Sequence, residues 1–204
     1  MLSLEGVGVR LDGNWVVRGV DLACSSGEAI AVVGENGAGK TTLLRAVAGI
    51  LPFDRGFISL GGEPLRGSVR RRVGFVPEAA DPPGFLTARD LIALSAALRD
   101  APPPAEELRR RLYPAELERA RIATLSLGER RRVCLAAAMV GEPSLLILDE
   151  PENGLDAAGV IILVELLTAA CQRGAIVLIA THDAPLRAAL ACRELRLSRG
   201  RVDA

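Results

Sequence analysis

Three stretches of this chain predict an α/β fold on a mixed, mostly parallel core sheet. Residues 29–33, 145–148 and 175–180 are unbroken aliphatic runs. A half-buried strand alternates apolar and polar positions. Unbroken runs therefore mean strands covered on both faces, as crossover helices cover a parallel sheet. Helix-forming segments at 43–48 and 157–171 follow two of the runs, and strand–helix alternation is the pattern of parallel architectures.

The remaining elements follow in chain order. Val7, Val9 and Leu11 alternate with polar or small residues, which predicts a half-buried strand. Asp12-Gly13-Asn14 turns the chain, and 15–22 returns, so the N-terminus forms an antiparallel β subdomain. Ser25-Ser26-Gly27-Glu28 is a second turn. Residues 57–60 form a short strand ended by Gly61-Gly62. Arg70-Arg71-Arg72 reads as a solvated face before the strand 73–76, which ends at Pro77-Glu78. Residues 79–127 are expected to be a short helical insertion within a single domain spanning 1–204. Leu91, Ile92, Leu94 and Leu98 share one side of a helix over 88–98, Ala101-Pro102-Pro103-Pro104 is a rigid connector, and 106–112 and 115–120 read as charged helix. A helix at 130–140 stops at Gly141 and Pro143. Gly174 caps the helix 157–171. A short helix and a hairpin at 195–202 close the chain.

Composition narrows the functional classes. Half of the 204 residues are hydrophobic but only 3% are aromatic, so the core is built from Leu, Val, Ile and Ala. Lys plus Arg and Asp plus Glu each number 25. That balance argues against nucleic acid or an anionic membrane surface as partner. Cys24, Cys134, Cys171 and Cys192 are far apart and read as free thiols in a reducing compartment, not as metal ligands. No leader peptide and no apolar run of membrane-spanning length is expected.

Three motifs carry chemistry. Gly34-Glu35-Asn36-Gly37-Ala38-Gly39-Lys40-Thr41-Thr42 reads G-x-x-x-x-G-K-T between a strand and a helix, the phosphate-binding P-loop. Its glycines let backbone N–H groups approach a polyphosphate, and the helix N-terminus adds a positive dipole end. Lys40 is placed to reach the β- and γ-phosphates, and Thr41 to ligate Mg²⁺. Lys40 is the only lysine; the other 24 of 25 basic residues are arginine. A compact ammonium suits a phosphate cradle where a planar guanidinium does not. Second, the strand 145–148 delivers Asp149 and Glu150 to the carboxyl edge of the sheet, where ligands bind in open α/β folds. Asp149 suits holding Mg²⁺, and Glu150 suits polarising a water for attack on a γ-phosphate. Third, the lone histidine, His182, ends the next apolar strand, within reach of the same phosphate.

Together these residues resemble the ATP-binding cassette (ABC) ATPases over essentially the whole chain. Gly34 to Thr42 is similar to Walker A and the 145–150 stretch to Walker B. Pro151-Glu152-Asn153-Gly154-Leu155-Asp156 is similar to the D-loop, and Ala180-Thr181-His182-Asp183 to the switch-histidine loop. Leu125-Ser126-Leu127-Gly128-Glu129-Arg130-Arg131-Arg132 is similar to the family signature opening its helix. The resemblance implies a P-loop NTPase fold, ATP and Mg²⁺ as cofactors, and Glu150, His182 and Lys40 as catalytic residues. It implies a second ABC subunit, the same or different, pairing head to tail. Ser126 and the Gly128 amide would then reach the γ-phosphate across the interface, and Asp156 would contact the partner. Glu78 stands where the family has a Gln that ligates Mg²⁺. The family's adenine-stacking position aligns with Leu11, and Trp15 is the only aromatic nearby to take that role. Glu78 and Leu127 together resemble compact ABC-2-type exporter cassettes, with small haem-exporter cassettes the next nearest. The expected function is then the ATPase subunit of an exporter, held on the cytoplasmic face of the membrane by a separate permease. The alternatives are a soluble ABC ATPase of the iron–sulfur assembly type, or a degenerate cassette paired with an active one.

Overall fold

The computed structural model describes residues 1–79 and 81–203. Two sheets organise it. The first is antiparallel, in the order β2-β1-β4-β5, from β1 (Leu2–Leu11), β2 (Asn14–Cys24), β4 (Arg55–Leu60) and β5 (Glu63–Pro64). The second runs β10-β9-β3-β8-β7-β6, from β3 (Ala29–Val33), β6 (Val73–Val76), β7 (Leu145–Asp149), β8 (Ile176–Ala180), β9 (Arg193–Ser198) and β10 (Arg201–Val202). Every pairing from β9 to β6 is parallel, and only the β9–β10 hairpin is antiparallel. The expected α/β architecture with its antiparallel N-terminal sheet is thus the one observed.

Register decides where the site lies. Val32 and Asp149 both pair with Ala180, and Val76 pairs with Leu148. The carboxyl ends of β3, β6, β7 and β8 therefore open onto one edge, and the residues just beyond them meet.

Side chains of a strand alternate between faces. Ile30, Val32, Leu145, Ile147, Ile176 and Leu178 face α1 (Lys40–Val47) and the antiparallel sheet, whose Leu2, Leu4, Val7 and Val9 complete that core. Ala31, Val33, Leu146, Leu148, Val177 and Ile179 face the other core. This one takes side chains from α2 (Ala88–Arg99), α3 (Glu106–Leu112), α4 (Leu127–Ala138), α5 (Ala157–Gln172) and α6 (Ala184–Ala189). Each fully buried aliphatic side chain contributes roughly 1.5–3 kcal/mol by leaving water.

The segment between β6 and β7 departs from expectation in detail. Ala88, Ile92, Leu112 and Ile122 belong to the same core cluster as Leu146 and Leu148, so its helices share the sheet's core. Ala80, inside the predicted 79–127 insertion, lies outside the described residues. The charged stretch expected as helix at 115–120 is a 3₁₀ turn, Ala115–Arg119. α4 begins at Leu127, three residues earlier than expected, because Ser126 and Glu129 close a reciprocal capping box. α2 starts the same way, from Thr87 and Asp90. The four cysteines form no disulfide among the described residues. No described helix is long and apolar enough to cross a membrane.

Candidate active site

The loop after β3 makes the cradle. Gly34 has φ 155° and Gly39 φ 100°. A Cβ on Gly34 would lie 2.2 Å from the Leu197 carbonyl oxygen, and one on Gly39 would lie 2.9 Å from that of Val16. Both backbone angle and space therefore demand glycine. Lys40 is buried at 8% exposure. Its Nζ donates to the carbonyls of Gly34 at 2.7 Å and Glu35 at 3.2 Å, and stands 3.3 Å from His182 Nε2. The ammonium is held at the mouth of the loop; it makes no direct ion pair among the described residues, and its charge acts on the nearby carboxylates of Asp149 and Glu150.

β7 carries Asp149 to the floor. Asp149 is 1% exposed, and the Thr41 hydroxyl bonds its side chain. Its Oδ2 is buried without a partner. Burial pushes its carboxyl above the ordinary value, the Thr41 bond opposes that, and the charge of Glu78 adds to it. An orphaned buried carboxylate oxygen, a hydroxyl beside it and a second carboxylate nearby form a hard oxygen donor set. Thr41, Asp149 and Glu78 fit Mg²⁺, which takes oxygen ligands and prefers few carboxylates plus phosphate.

Glu150 follows in a strained turn. Its φ of 46° is unusual for a non-glycine residue, a conformation that costs roughly 1–3 kcal/mol and clusters at functional sites. The turn is fixed by its N–H donating 2.8 Å to the Ala180 carbonyl of β8. Burial, then the charge of Glu152, pushes the Glu150 carboxyl up to about 7, against a hydrogen bond from the His182 N–H. His182 Nε2 lies 3.4 Å from Glu150 Oε1. A cavity of about 370 Å³ lies above these groups, lined by Val16, residues 36–42, Glu78, Asp149, Glu150 and His182. The structure therefore brings together Lys40, Thr41, Thr42, Asn36, Gly37, Ala38, Gly39, Glu78, Asp149, Glu150 and His182. Gly34 and Glu35 border the loop on its other side, facing Ser198 and Arg199.

Ser126, Gly128 and Asp156 do not line that cavity. The Ser126 hydroxyl donates to Glu129 at 2.8 Å at the start of α4. Asp156 caps α5 by accepting from the Gly159 N–H at 2.8 Å, and it pairs with Arg132. A Cβ on Gly128 would lie 2.5 Å from the Gly154 carbonyl oxygen, so this glycine serves a close approach within the chain.

Trp15 is corrected. Neighbouring strand residues face opposite sides, and it is Val16 that lines the P-loop cavity. The Trp15 ring lies under the guanidinium of Arg10 at 4.1 Å and near that of Arg55 at 5.1 Å, in a separate groove with Gly8 and Arg18. Two residues of the D-loop and signature stretches make contacts that the motifs do not reveal. Glu152, whose carboxylate accepts from the buried Thr181 hydroxyl, looks like any loop acid. Arg131 is hidden in a run of three arginines.

Residues 17–153 match the sequence model of the ABC transporter family. The chain belongs to that family. The cassette is 39% identical over 209 residues to a Streptomyces avermitilis protein named as an ABC transporter ATP-binding protein, covering 98% of this chain and 37% of that one. It is 37% identical to the zinc import ATP-binding protein ZnuC of Rhizobium meliloti, covering 90% and 59%. It is 35% identical to the Nod factor export ATP-binding protein I of Burkholderia pseudomallei, covering 89% and 62%. The chain thus spans about a third to three-fifths of the length of these relatives. A solved ATP-binding subunit of an ABC transporter superposes with TM-score 0.88 at 28% identity, over 100% of this chain and 88% of that one. ATP with Mg²⁺ is the cofactor pair of this family of ATPases.

Proposed function

We propose that the cassette hydrolyses ATP to drive a membrane permease supplied as a separate chain or domain, and that it works as an exporter. The observation that carries the hydrolytic part is the meeting of Lys40, Thr41, Asp149, Glu150 and His182 around one cavity. Lys40 neutralises the β- and γ-phosphates. Thr41 and Asp149, with Glu78, would hold Mg²⁺, which would supply charge neutralisation to the transferring phosphoryl group. Glu150 takes a proton from the attacking water, its raised pKa matching a base that works near neutral pH. His182 lies against both Glu150 and Lys40 and orients the water and the γ-phosphate.

Ser126, Gly128 and Asp156 lie outside the lining of this cavity, which supports the reading that they serve the nucleotide of a second subunit. The Ser126 hydroxyl would exchange Glu129 for a phosphate oxygen. Coupling to the permease is supported by a groove of about 230 Å³ beside the Glu78 loop, between Phe75, Pro77, Leu91 and Ala137. Phe85, Leu94 and Leu98 are exposed on the same segment, and they suit a partner helix.

The export direction is supported by the resemblance carried by Glu78 and Leu127 and by the Nod factor export relative; the zinc import relative points the other way. Affinity purification from detergent-extracted membranes, followed by identification of the polytopic partner and transport in inverted vesicles, tests both parts. ATP-dependent uptake into inverted vesicles is expected. Absence of any polytopic partner contradicts the permease reading, and uptake only in right-side-out vesicles contradicts export.

A further inference from the structure

Arg131 heads the large side chains that the fold buries completely, at 1% exposure. It forms no ion pair among the described residues. Its guanidinium is satisfied by backbone carbonyls from two loops. Nη1 donates 2.7 Å to Pro77 and Nη2 donates to Glu78, just beyond β6. Nε donates 3.3 Å to Asn153, just beyond β7. The Asn153 N–H in turn donates 3.2 Å to the carbonyl of Glu150. A chain of hydrogen bonds thus runs from the backbone of Glu78, through one guanidinium, to the backbone of Glu150.

Burying a guanidinium is costly, and an apolar side chain of similar volume would fill the space at less cost. Packing alone does not account for arginine here. What arginine offers is a rigid planar fork that binds several acceptors at once. Its surroundings agree: burial lowers its pKa, while Cys134 and the carboxylates of Glu152, Glu78 and Asp149 act to raise it. The cation lies among the acidic groups of the active site without joining the cavity they line.

We propose that Arg131 is a positioning residue that fastens the Glu78 loop to the Glu150 loop, so that the cation-facing and water-facing carboxylates keep one geometry. This rests on the ATPase reading above. Lysine in its place has a single ammonium, and glutamine a single short amide, so neither spans both loops.

The test compares the parent chain with R131K and R131Q. Hydrogen–deuterium exchange without nucleotide comes first. Amides of residues 78–79, 150 and 152–155 are expected to exchange faster together, by about 10-fold or more, with β7 and β8 unchanged. Steady-state ATPase comes second. kcat is expected to fall by at least about 10-fold with KM within about 2-fold, the mark of positioning lost without binding lost. In an E78A background, which removes one of the two carboxylates that Arg131 places, the same substitution is expected to cost at least about 3-fold less than in the parent, because linked residues couple. Exchange rising in one loop alone, or losses that simply multiply in the double variant, would overturn the proposal. So would loss of the folded state in both variants, since Arg131 would then hold the fold and not the loops. The exchange arm needs no turnover. A parent chain without ATPase activity sinks the hydrolytic reading and leaves this one to be decided by exchange.

Discussion

His182 Nε2 stands 3.4 Å from the carboxylate of Glu150. The two residues come from the ends of neighbouring parallel strands, and the register of β7 against β8 brings them together. The proposed base and its orienting partner are therefore brought together by the sheet itself.

Glu150→Gln keeps the shape of the site and removes the base. kcat is expected to fall by at least about 100-fold, in the range that general-base catalysis supplies. ATP affinity should hold, and sedimentation with Mg-ATP should show a stable dimer. Unchanged turnover would contradict the assignment of Glu150.

The acid limb of the rate profile should move with Glu152. Burial and the Glu152 charge together push the Glu150 carboxyl to about 7. The empty native state then holds a proton that the unfolded chain releases above the ordinary value of 4.5. This group therefore lowers stability as pH rises from 4.5 toward 7, and adds no further change above that window. The active form is the ionised one, so kcat/KM should rise through pH near 7. Glu152→Gln removes the like charge and should shift that rise to lower pH, read from kcat/KM profiles of both proteins.

Lys40→Ala removes charge-assisted hydrogen bonds that contribute roughly 1.5–3 kcal/mol each. ATP affinity is expected to drop by at least about 10-fold in calorimetry, with thermal stability nearly intact. Equal affinity would show that the cradle binds without its lysine.

Trp15→Ala should leave ATP affinity within about 2-fold, as surface changes away from a site do, because Val16 and not Trp15 lines the cavity. A large loss of affinity would restore the adenine-stacking role that the sequence suggests for Trp15. Since Trp15 is the only tryptophan, its fluorescence in the parent chain is a second readout. It should change little on ATP binding.

Much of this site was legible because its chemistry is local. The P-loop and the Asp149-Glu150 step are contiguous, and His182 ends an apolar run whose neighbour in the sheet can be inferred. What resisted reading depends on where a side chain points. Arg131 lies between Arg130 and Arg132, and nothing in a run of like charges says which one turns inward. Trp15 and Val16 are adjacent, and strand bulges between Val7 and Arg10 blur which face each takes. The early start of α4 is legible too, because Ser126-x-x-Glu129 is a capping-box pattern; the same residues also serve the likeness to the family signature.

In the proposed dimer each ATP is held by Lys40 of one subunit and by Ser126 and Gly128 of another. Mixing two inactive variants tests it directly. Lys40→Ala spoils the cradle and keeps the signature. Gly128→Asp spoils the signature, since any side chain there meets Gly154 at 2.5 Å, and keeps the cradle. Each alone should be inactive, and the mixture should regain ATPase activity through one intact composite site. Two folded variants that associate yet stay inactive when mixed would contradict the account.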